Sequence, residues 1–210
     1  VLVNGLQFEG FLKRLVEASG TSSPIVELTK GAEVLKTSDE EHHHGEGEHK
    51  EAEDGHDAEE EHVGEDGHDH GAFDPHAWQS VHNAEIYVKN IADAFCAADA
   101  AGCDTYKANA AVYGEKLEAL DQEIKAAVEG IPAEKRTIIT SHDAFGYFEH
   151  EYGIRFLAPE GVSTESEASA ADVAALIRQI REDKASAIFV ENISNPRLVE
   201  QIAGETGLKV

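Results

Sequence analysis

The sequence is short of basic residues and of long apolar runs, and each shortage removes a class of protein. Seventeen lysines and arginines stand against 42 aspartates and glutamates, which gives a formal net charge of −25. A surface this negative repels phosphate backbones and anionic membranes, so nucleic acid is not an expected partner. An apolar run of about 18 residues and a charged-then-apolar amino terminus are both missing, so neither a membrane span nor a signal peptide is predicted.

The motifs that mark many enzymes are missing as well. The sequence contains no HExxH, G-x-S-x-G, P-loop or GxGxxG pattern, and neither cysteine has a candidate base near it in sequence. A zinc hydrolase with a glutamate base would need none of these motifs, but no residue pattern proposes a substrate for one. We therefore expect no enzymatic activity.

Cysteine is scarce too, and Cys96 and Cys103 are the only two. Six residues separate them, which excludes a CxxC metal or redox motif and allows a disulfide. So small a loop would contribute at the low end of the roughly 2 to 4 kcal/mol that is typical of disulfides. Two unlinked thiols are the alternative, whereas a disulfide would indicate an oxidising compartment.

The acidity is concentrated in one segment, residues 39–71. It holds 15 acids, one lysine and eight of the 12 histidines: His42, His43, His44, His49, His56, His62, His68 and His70. The segment has little apolar surface to offset its ordering entropy, so it is predicted to be disordered without metal. Imidazole and carboxylate groups suit zinc, copper and nickel, which predicts several weak metal sites here. A solvated acidic linker, with an added tag for the HHH triplet, is the alternative.

Outside this segment, short apolar runs alternate with amphipathic ones. Candidate strands are residues 1–4, 25–28, 137–140, 154–158, 187–191 and 208 onward. Spacings of three and four predict helices between them, and Asn195 with Pro196 predicts a helix start. This alternation predicts an α/β fold with parallel sheets wrapped by helices.

One predicted helix is longer than the rest. From the candidate N-cap Asp104 to Gly130 the apolar spacing is unbroken, and about 26 residues would span roughly 39 Å. A coiled coil is the rival interpretation, but flanking βα units favour a rod between two lobes. The predicted domains are an amino-terminal lobe of residues 1–103, a connecting helix of residues 104–130 and a carboxyl-terminal lobe of residues 131–210.

The ends of the chain suggest a fragment. The sequence opens on Val1 without a methionine, and it closes on residues 208–210, which are typical of the start of a buried strand. We expect the first lobe to be incomplete at its start and the second at its end.

Two histidines outside the acidic segment stand at predicted element boundaries. His76 follows Asp74 and Pro75, a candidate N-cap and first helical residue, and His142 follows a buried strand with Ser141 as a candidate cap. Ligands in α/β sheets collect at the carboxyl ends of strands. A single histidine in such a position is more often structural than a metal ligand, but the pair, on either side of the long helix, makes a shared metal site as well supported as two structural roles.

The remaining two histidines are weaker candidates. His82 lies six residues beyond His76 and off its helical face, and His150 lies in an acidic stretch that is predicted to face solvent.

Five stretches of the sequence together resemble a known family. They are VNGLQFEGFL, FDPHAW, TSHDAFGYFEHEYGI, EGVSTESEASAADVAALIRQIRE and AIFVENISNPRLVEQIAGETGLKV. In this order, over nearly the whole chain, they resemble the metal-binding cluster of ABC-transporter solute-binding proteins, specifically the periplasmic zinc-binding members with a His-rich loop. The resemblance implies two βα lobes joined by one long rigid helix, with a metal site in the cleft between the lobes.

The resemblance also implies the ligands of that site. His76 matches the histidine of the family's DPH motif and His142 that of its SHDAF motif, so both are predicted metal ligands. One tight zinc site would be completed by a further histidine upstream of VNGL and a carboxylate after LKV, both outside this chain. Manganese-selective relatives carry Glu where this sequence has His142, and imidazole there favours zinc.

The function implied is capture of Zn²⁺ in the periplasm and delivery to an inner-membrane ABC permease, by a monomer without catalysis. A periplasmic zinc chaperone is a further candidate partner, and an oxidising periplasm favours the Cys96–Cys103 disulfide. His70 and His76 are at most about 20 Å apart, so the loop could capture zinc and hand it over, with sensing of high zinc as the alternative. The rival function is zinc storage or metallochaperone activity with the loop as the main site.

Overall fold

The computed structural model of the protein describes residues 1–37, 72–161, 169–191 and 196–209. The whole acidic segment, residues 39–71, lies outside these ranges, so its predicted disorder and its weak metal sites stay predictions. Asn195, the predicted cap of the last helix, also lies outside them.

Five strands and six α-helices follow one another along the described chain. The strands are β1 (Leu2–Val3), β2 (Val26–Glu27), β3 (Thr137–Ile139), β4 (Arg155–Leu157) and β5 (Ala187–Ile188). The helices are α1 (Leu12–Ser19), α2 (Val81–Ala98), α3 (Cys103–Glu129), α4 (Gly146–Tyr152), α5 (Ala170–Asp183) and α6 (Pro196–Thr206). Short 3-10 helices stand at Ala77–Gln79 and Ala133–Lys135.

All the named strands pair in parallel. β1 pairs with β2, and the second sheet has the order β4-β3-β5, with Ile139 beside Leu157 and Ile188. Parallel strands that are neighbours in a sheet need crossover connections, which are usually helices. The alternation of strand and helix patterns in the sequence therefore indicated the correct fold class. The prediction of an α/β fold with parallel sheets is confirmed.

The second sheet lies between two layers of helices. Ile139 is buried against Ile180 of α5 and Ile202 of α6, whereas Ile138 packs on the other face with the cluster of α2, α3 and α4. Neighbouring strand residues face opposite sides of a sheet, so β3 is covered on both faces. Such strands read as continuous apolar runs, which is how the sequence predicted them.

The long helix α3 has 27 residues and begins one position earlier than predicted. Gly102 is its N-cap and makes no side-chain cap bond, while the predicted cap Asp104 lies in the first turn. A carboxylate there still favours the helix start, because it faces the positive end of the helix dipole. The helix ends at Glu129 rather than Gly130.

The turn from α2 to α3 is closed by the predicted disulfide. Cys96 and Cys103 are bonded with an S–S distance of 2.05 Å, and Asp99 in the same turn accepts a hydrogen bond from the Tyr106 hydroxyl at 2.8 Å. Burial of Val81 with Leu117 and Val128 then brings the two helices side by side in antiparallel directions. The bridge confirms the expectation for Cys96 and Cys103.

The predicted strand from Leu208 is wrong within the described residues. Leu208 and Lys209 have no strand conformation, and Leu208 instead packs against the buried cluster that contains Val199 and Ile202. Hydrophobicity identified Leu208 as a core residue but did not determine its backbone, because short apolar runs fit several conformations.

The two halves of the chain also meet away from α3, at Tyr147 of α4. Its hydroxyl donates to the Asp74 carbonyl oxygen at 2.7 Å and accepts the Leu35 N–H at 3.0 Å, and its ring is buried with Ala77 and Tyr87.

Within the described ranges, no helix has the length and apolar content to cross a bilayer.

Candidate metal site

His76 lies at the start of the Ala77–Gln79 helix with 5% of its surface exposed. Asp74 holds it twice: Oδ1 accepts the His76 backbone N–H at 2.9 Å and lies 2.7 Å from the ring Nδ1. The prediction that Asp74 caps a helix is therefore wrong, since Ser80 caps α2 by accepting the Asn83 N–H. The carboxylate instead orients the imidazole.

His142 follows the carboxyl end of β3 and is 6% exposed. Glu191, which follows β5, places Oε1 3.1 Å from the Ser141 N–H and Oε2 2.5 Å from Nδ1 of His142. The predicted cap role of Ser141 is wrong, because α4 begins only at Gly146 and the Ser141 hydroxyl accepts the Glu191 N–H at 3.3 Å.

The close contact between His142 and Glu191 is not aligned as a hydrogen bond. Nδ1 of His142 is buried and has no hydrogen-bond partner in the described part of the chain, although Oε2 is only 2.5 Å away. A hydrogen bond between these two atoms would be charge-assisted and would orient the ring. Glu191 is therefore the available orienting group for His142.

The two imidazoles meet across the halves of the chain. Their ring centroids are 5.5 Å apart with an interplanar angle of 63°. Two imidazoles that share a tetrahedral zinc ion, with Zn–N distances near 2.0 to 2.1 Å, have centroids roughly 5 Å apart. Each ring has a carboxylate at Nδ1 and so keeps Nε2 for a ligand, which is the carboxylate–histidine pattern of metal sites.

In the described ranges, no group of three or more His, Cys, Asp and Glu side chains is arranged to hold a metal ion. The structure therefore brings together two of the ligands that the sequence predicts. The further histidine and the carboxylate that would complete a tight site stay predictions.

The two weaker candidates lie elsewhere. His82 is exposed on α2 and His150 is exposed on α4, so neither is brought to the imidazole pair. His82 was ranked low because it lies off the helical face of His76. His150 was ranked low because its acidic surroundings are typical of solvent-facing positions.

A network of hydrogen bonds holds the residues before His76. The Tyr87 hydroxyl donates to Asn4 Oδ1 at 2.6 Å, and Asn4 Nδ2 donates to the Pro75 carbonyl oxygen at 2.9 Å. Burial raises the pKa of Tyr87 and of Tyr147, and the charge of Asp74 raises the pKa of Tyr147 further. Both hydroxyls therefore stay protonated donors at neutral pH.

Three groups at the site were not singled out from the sequence: Glu191, Tyr147 and Phe8. Phe8 and Trp78 pack edge-on against His76, with centroids 6.0 and 5.3 Å from the imidazole. For Glu191 a signal existed, because it follows a buried strand just as His142 does. The contact of Phe8 had no such signal, since it depends on a turn far from His76 in sequence.

Comparison with known proteins identifies the family of the chain. Residues 1–210 match the family described as zinc-uptake complex component A, periplasmic (ZnuA). The manganese ABC transporter substrate-binding lipoprotein PsaA of Streptococcus pneumoniae is 37% identical over 140 residues, which are 67% of this chain and 45% of that protein. The iron-binding protein YfeA of Yersinia pestis is 36% identical over 137 residues, 65% of this chain and 44% of that protein. The chain thus spans less than half the length of these relatives.

Solved structures show the same fold. The periplasmic zinc-binding protein TroA of Treponema pallidum has a TM-score of 0.77 at 27% identity, over 98% of this chain and 64% of that one. A manganese-bound periplasmic metal-binding protein from Candidatus Liberibacter asiaticus has a TM-score of 0.76 at 25% identity, over 99% of this chain and 67% of that one. The chain belongs to the periplasmic zinc-uptake component A family, whose members are metal-binding proteins of ABC transporters rather than enzymes, and this confirms the fold class and the periplasmic location expected from the sequence.

Proposed function

We propose that the protein captures Zn²⁺ in the periplasm, at a site that includes His76 and His142, and delivers it to an inner-membrane ABC permease. The observation that carries the proposal is the pair of buried imidazoles with centroids 5.5 Å apart, each with a carboxylate at Nδ1. Because one imidazole comes from each half of the chain, movement between the halves would separate the ligands and release the ion.

Zinc is the proposed ion because of the ligand type. Neutral imidazole suits zinc, whereas manganese favours carboxylate and other oxygen ligands. The relatives are named for manganese, iron and zinc, so the ion is the part of the proposal that most needs a direct test. The eight histidines of residues 39–71 add a second reason to favour zinc.

Residues 39–71 are proposed to collect zinc and pass it to the imidazole pair. The described residues on either side are paired, since Lys36 bridges Phe73 and the Asp74 N–H donates to the Leu35 carbonyl oxygen at 2.9 Å. Both ends of the segment therefore leave the fold together, close to His76. A tethered ligand set there would raise the local zinc concentration.

Storage is the second candidate function, and the observation that favours it is the ligand content of residues 39–71. Eight histidines and 15 acids exceed what one delivery site requires. In that case the segment would hold most of the zinc, and the folded part would act as its carrier. For the transport function, we propose that the protein acts as a monomer and that a separate chaperone is not required for it to deliver zinc to the permease.

The lobes are proposed to correspond to residues 1–103 and 131–210, with residues 104–130 between them. A single helix of 27 residues is stiff, and Tyr147 adds a second contact between the halves. Metal release should then involve rocking of the lobes or rearrangement of loops rather than a wide opening of the cleft. A large change in small-angle scattering between the zinc-free and zinc-bound forms would contradict this expectation.

A zinc titration against a competing chelator tests the proposed function. The His76→Ala, His142→Ala double variant should lose the tightest site, while the His82→Ala, His150→Ala double variant, which removes two exposed imidazoles, should keep it. Deletion of residues 39–71 should slow zinc acquisition and leave one tight site. If the deletion alone abolishes tight binding, storage replaces transport, and parallel titrations with Mn²⁺ and Fe²⁺ decide the ion.

A further inference from the structure

Phe8 covers the His76 imidazole. The ring of Phe8 lies edge-on to His76 at 6.0 Å and to Trp78 at 5.0 Å, and Trp78 lies 5.3 Å from His76. His76 is only 5% exposed, whereas Phe8 is 49% and Trp78 37% exposed. The imidazole is thus buried beneath two aromatic rings that themselves border solvent.

The cover depends on the turn that precedes it. The Phe8 N–H donates to the Gly5 carbonyl oxygen at 3.1 Å, and the two central residues, Leu6 and Gln7, have φ values of 52° and 62°. Turns with two left-handed central residues favour Asn and Gly, because a Cβ there clashes with the following carbonyl oxygen. Leu6 and Gln7 both carry a Cβ, so this turn is strained.

The start of the turn is held firmly. The Glu9 carboxylate accepts the Asn4 N–H at 2.6 Å and the Gly5 N–H at 3.2 Å. A Cβ at Gly5, whose φ is 92°, would lie 2.7 Å from the Thr29 hydroxyl oxygen, so the backbone there is closely packed. This end of the turn has little freedom to move.

The other end of the turn is free of such packing. Leu6 packs into the cluster of Ala77, Tyr87 and Tyr147, but Gln7 and Phe8 are exposed. A strained segment with little buried surface opens at low free-energy cost. The ring of Phe8 is therefore the part of the cover that can move while the fold around it stays intact.

We propose that Phe8 controls how fast the ion enters and leaves the site at His76, with the strained turn as its hinge. The inference rests on the proposed function, since it needs an ion at His76. A ring over the ligand blocks the incoming water or donor atom that must replace imidazole during exchange. A movable cover slows the entry and the exit of the ion by the same factor. It therefore changes the rates of binding and release and leaves the affinity nearly unchanged.

Stopped-flow mixing with Zn²⁺ and a chromophoric chelator measures both rates. Phe8→Ala should raise binding and release together, by roughly tenfold, with the dissociation constant within about twofold of wild type. Phe11→Ala is the matched control, because Phe11 belongs to the same segment, is 67% exposed and is the N-cap of α1. It should exchange zinc at the wild-type rates.

Gln7→Gly tests the hinge. Glycine adopts the left-handed conformation without the Cβ clash, so the covered state is stabilised and both rates should fall. If Phe8→Ala speeds release alone and weakens affinity by the same factor, Phe8 is a packing contact and the inference is overturned. Rates equal to those of Phe11→Ala overturn it too. A wild-type protein without a tight site that depends on His76 and His142 would instead overturn the proposed function, and this inference with it.

Discussion

Nδ1 of His142 lies 2.5 Å from Oε2 of Glu191, a residue 49 positions further along the chain. The two residues meet because each follows a strand of the same parallel sheet, His142 after β3 and Glu191 after the neighbouring β5. The second carboxylate oxygen accepts the Ser141 N–H at 3.1 Å. Glu191 thereby holds the backbone that carries His142, and its Oε2 is the carboxylate oxygen available to orient the ring.

Glu191→Ala should weaken zinc binding by about 10- to 100-fold, the usual effect of losing an outer carboxylate. Glu191→Gln should weaken it less, because its amide oxygen still accepts the Ser141 N–H while the negative charge is lost. Competition with a chelator of known affinity measures both effects. Glu200→Ala, which removes an exposed glutamate of α6, is the control and should bind as wild type does. Wild-type affinity in Glu191→Ala would show that His142 needs no orienting carboxylate.

Asp74→Ala should have a comparable effect through the other imidazole. Asp74 is 6% exposed, and its Oδ1 holds both the backbone N–H and the ring Nδ1 of His76. We expect a loss of about 10- to 100-fold in zinc affinity, and a smaller loss for Asp74→Asn, which keeps an oxygen acceptor. The exposed Asp93 of α2, changed to Asn, is the control. Equal affinities for the Ala and Asn variants would contradict the role of the acceptor oxygen.

The sequence predicted the elements well because their signals are local. Alternation of short apolar runs with helical spacing located all five strands to within a few residues, and Pro196 opens α6 as expected. His76 and His142 were selected by their positions at element starts, and the structure brings them together. Each of these inferences used residues close to one another in the chain.

The errors and omissions have long-range causes. Asp74 and Ser141 follow the local rules for helix caps, but contacts with His76 and Glu191 determine what they do. Phe8 meets His76 only because a left-handed turn, which its residues do not favour, is held by Glu9. Such pairings depend on packing between distant segments, which periodicity within a single sequence does not report.

Removal of the disulfide should destabilise the fold without weakening the metal site. Closing a loop of about eight residues stabilises a protein by about 2.5 kcal/mol in the chain-entropy model. The Cys96→Ser, Cys103→Ser double variant should lose about that much free energy of unfolding in urea. Zinc affinity should stay unchanged, because Cys96 lies 15 residues after Val81, the first residue of α2, and so roughly 22 Å along the helix from the end nearest the site. A zinc affinity that falls with the bridge would reveal coupling along α2.

Stability should fall at alkaline pH because buried tyrosines must stay protonated. The Tyr87 and Tyr147 hydroxyls donate to Asn4 Oδ1 and the Asp74 carbonyl oxygen, and burial is the main reason that the pKa of each lies above the ordinary value of 10.0. In the unfolded chain these phenols lose their protons near pH 10, while the folded chain retains them. Above that pH the unfolded state binds fewer protons, so the free energy of unfolding decreases as pH rises.

Phenylalanine variants separate this effect from general alkaline damage. Tyr87→Phe and Tyr147→Phe should each cost about 1 to 3 kcal/mol at neutral pH, since a buried acceptor loses its donor. Between about pH 10 and 11, however, each variant should lose stability less steeply than wild type, because it carries one titrating group fewer. Tyr113→Phe, at a half-exposed position of α3, should follow the wild-type curve. Urea unfolding at several pH values gives the slope of the unfolding free energy against pH. Parallel curves for wild type and Tyr147→Phe would contradict the raised pKa of Tyr147. A phenol that titrates alike in the folded and unfolded states leaves this slope unchanged.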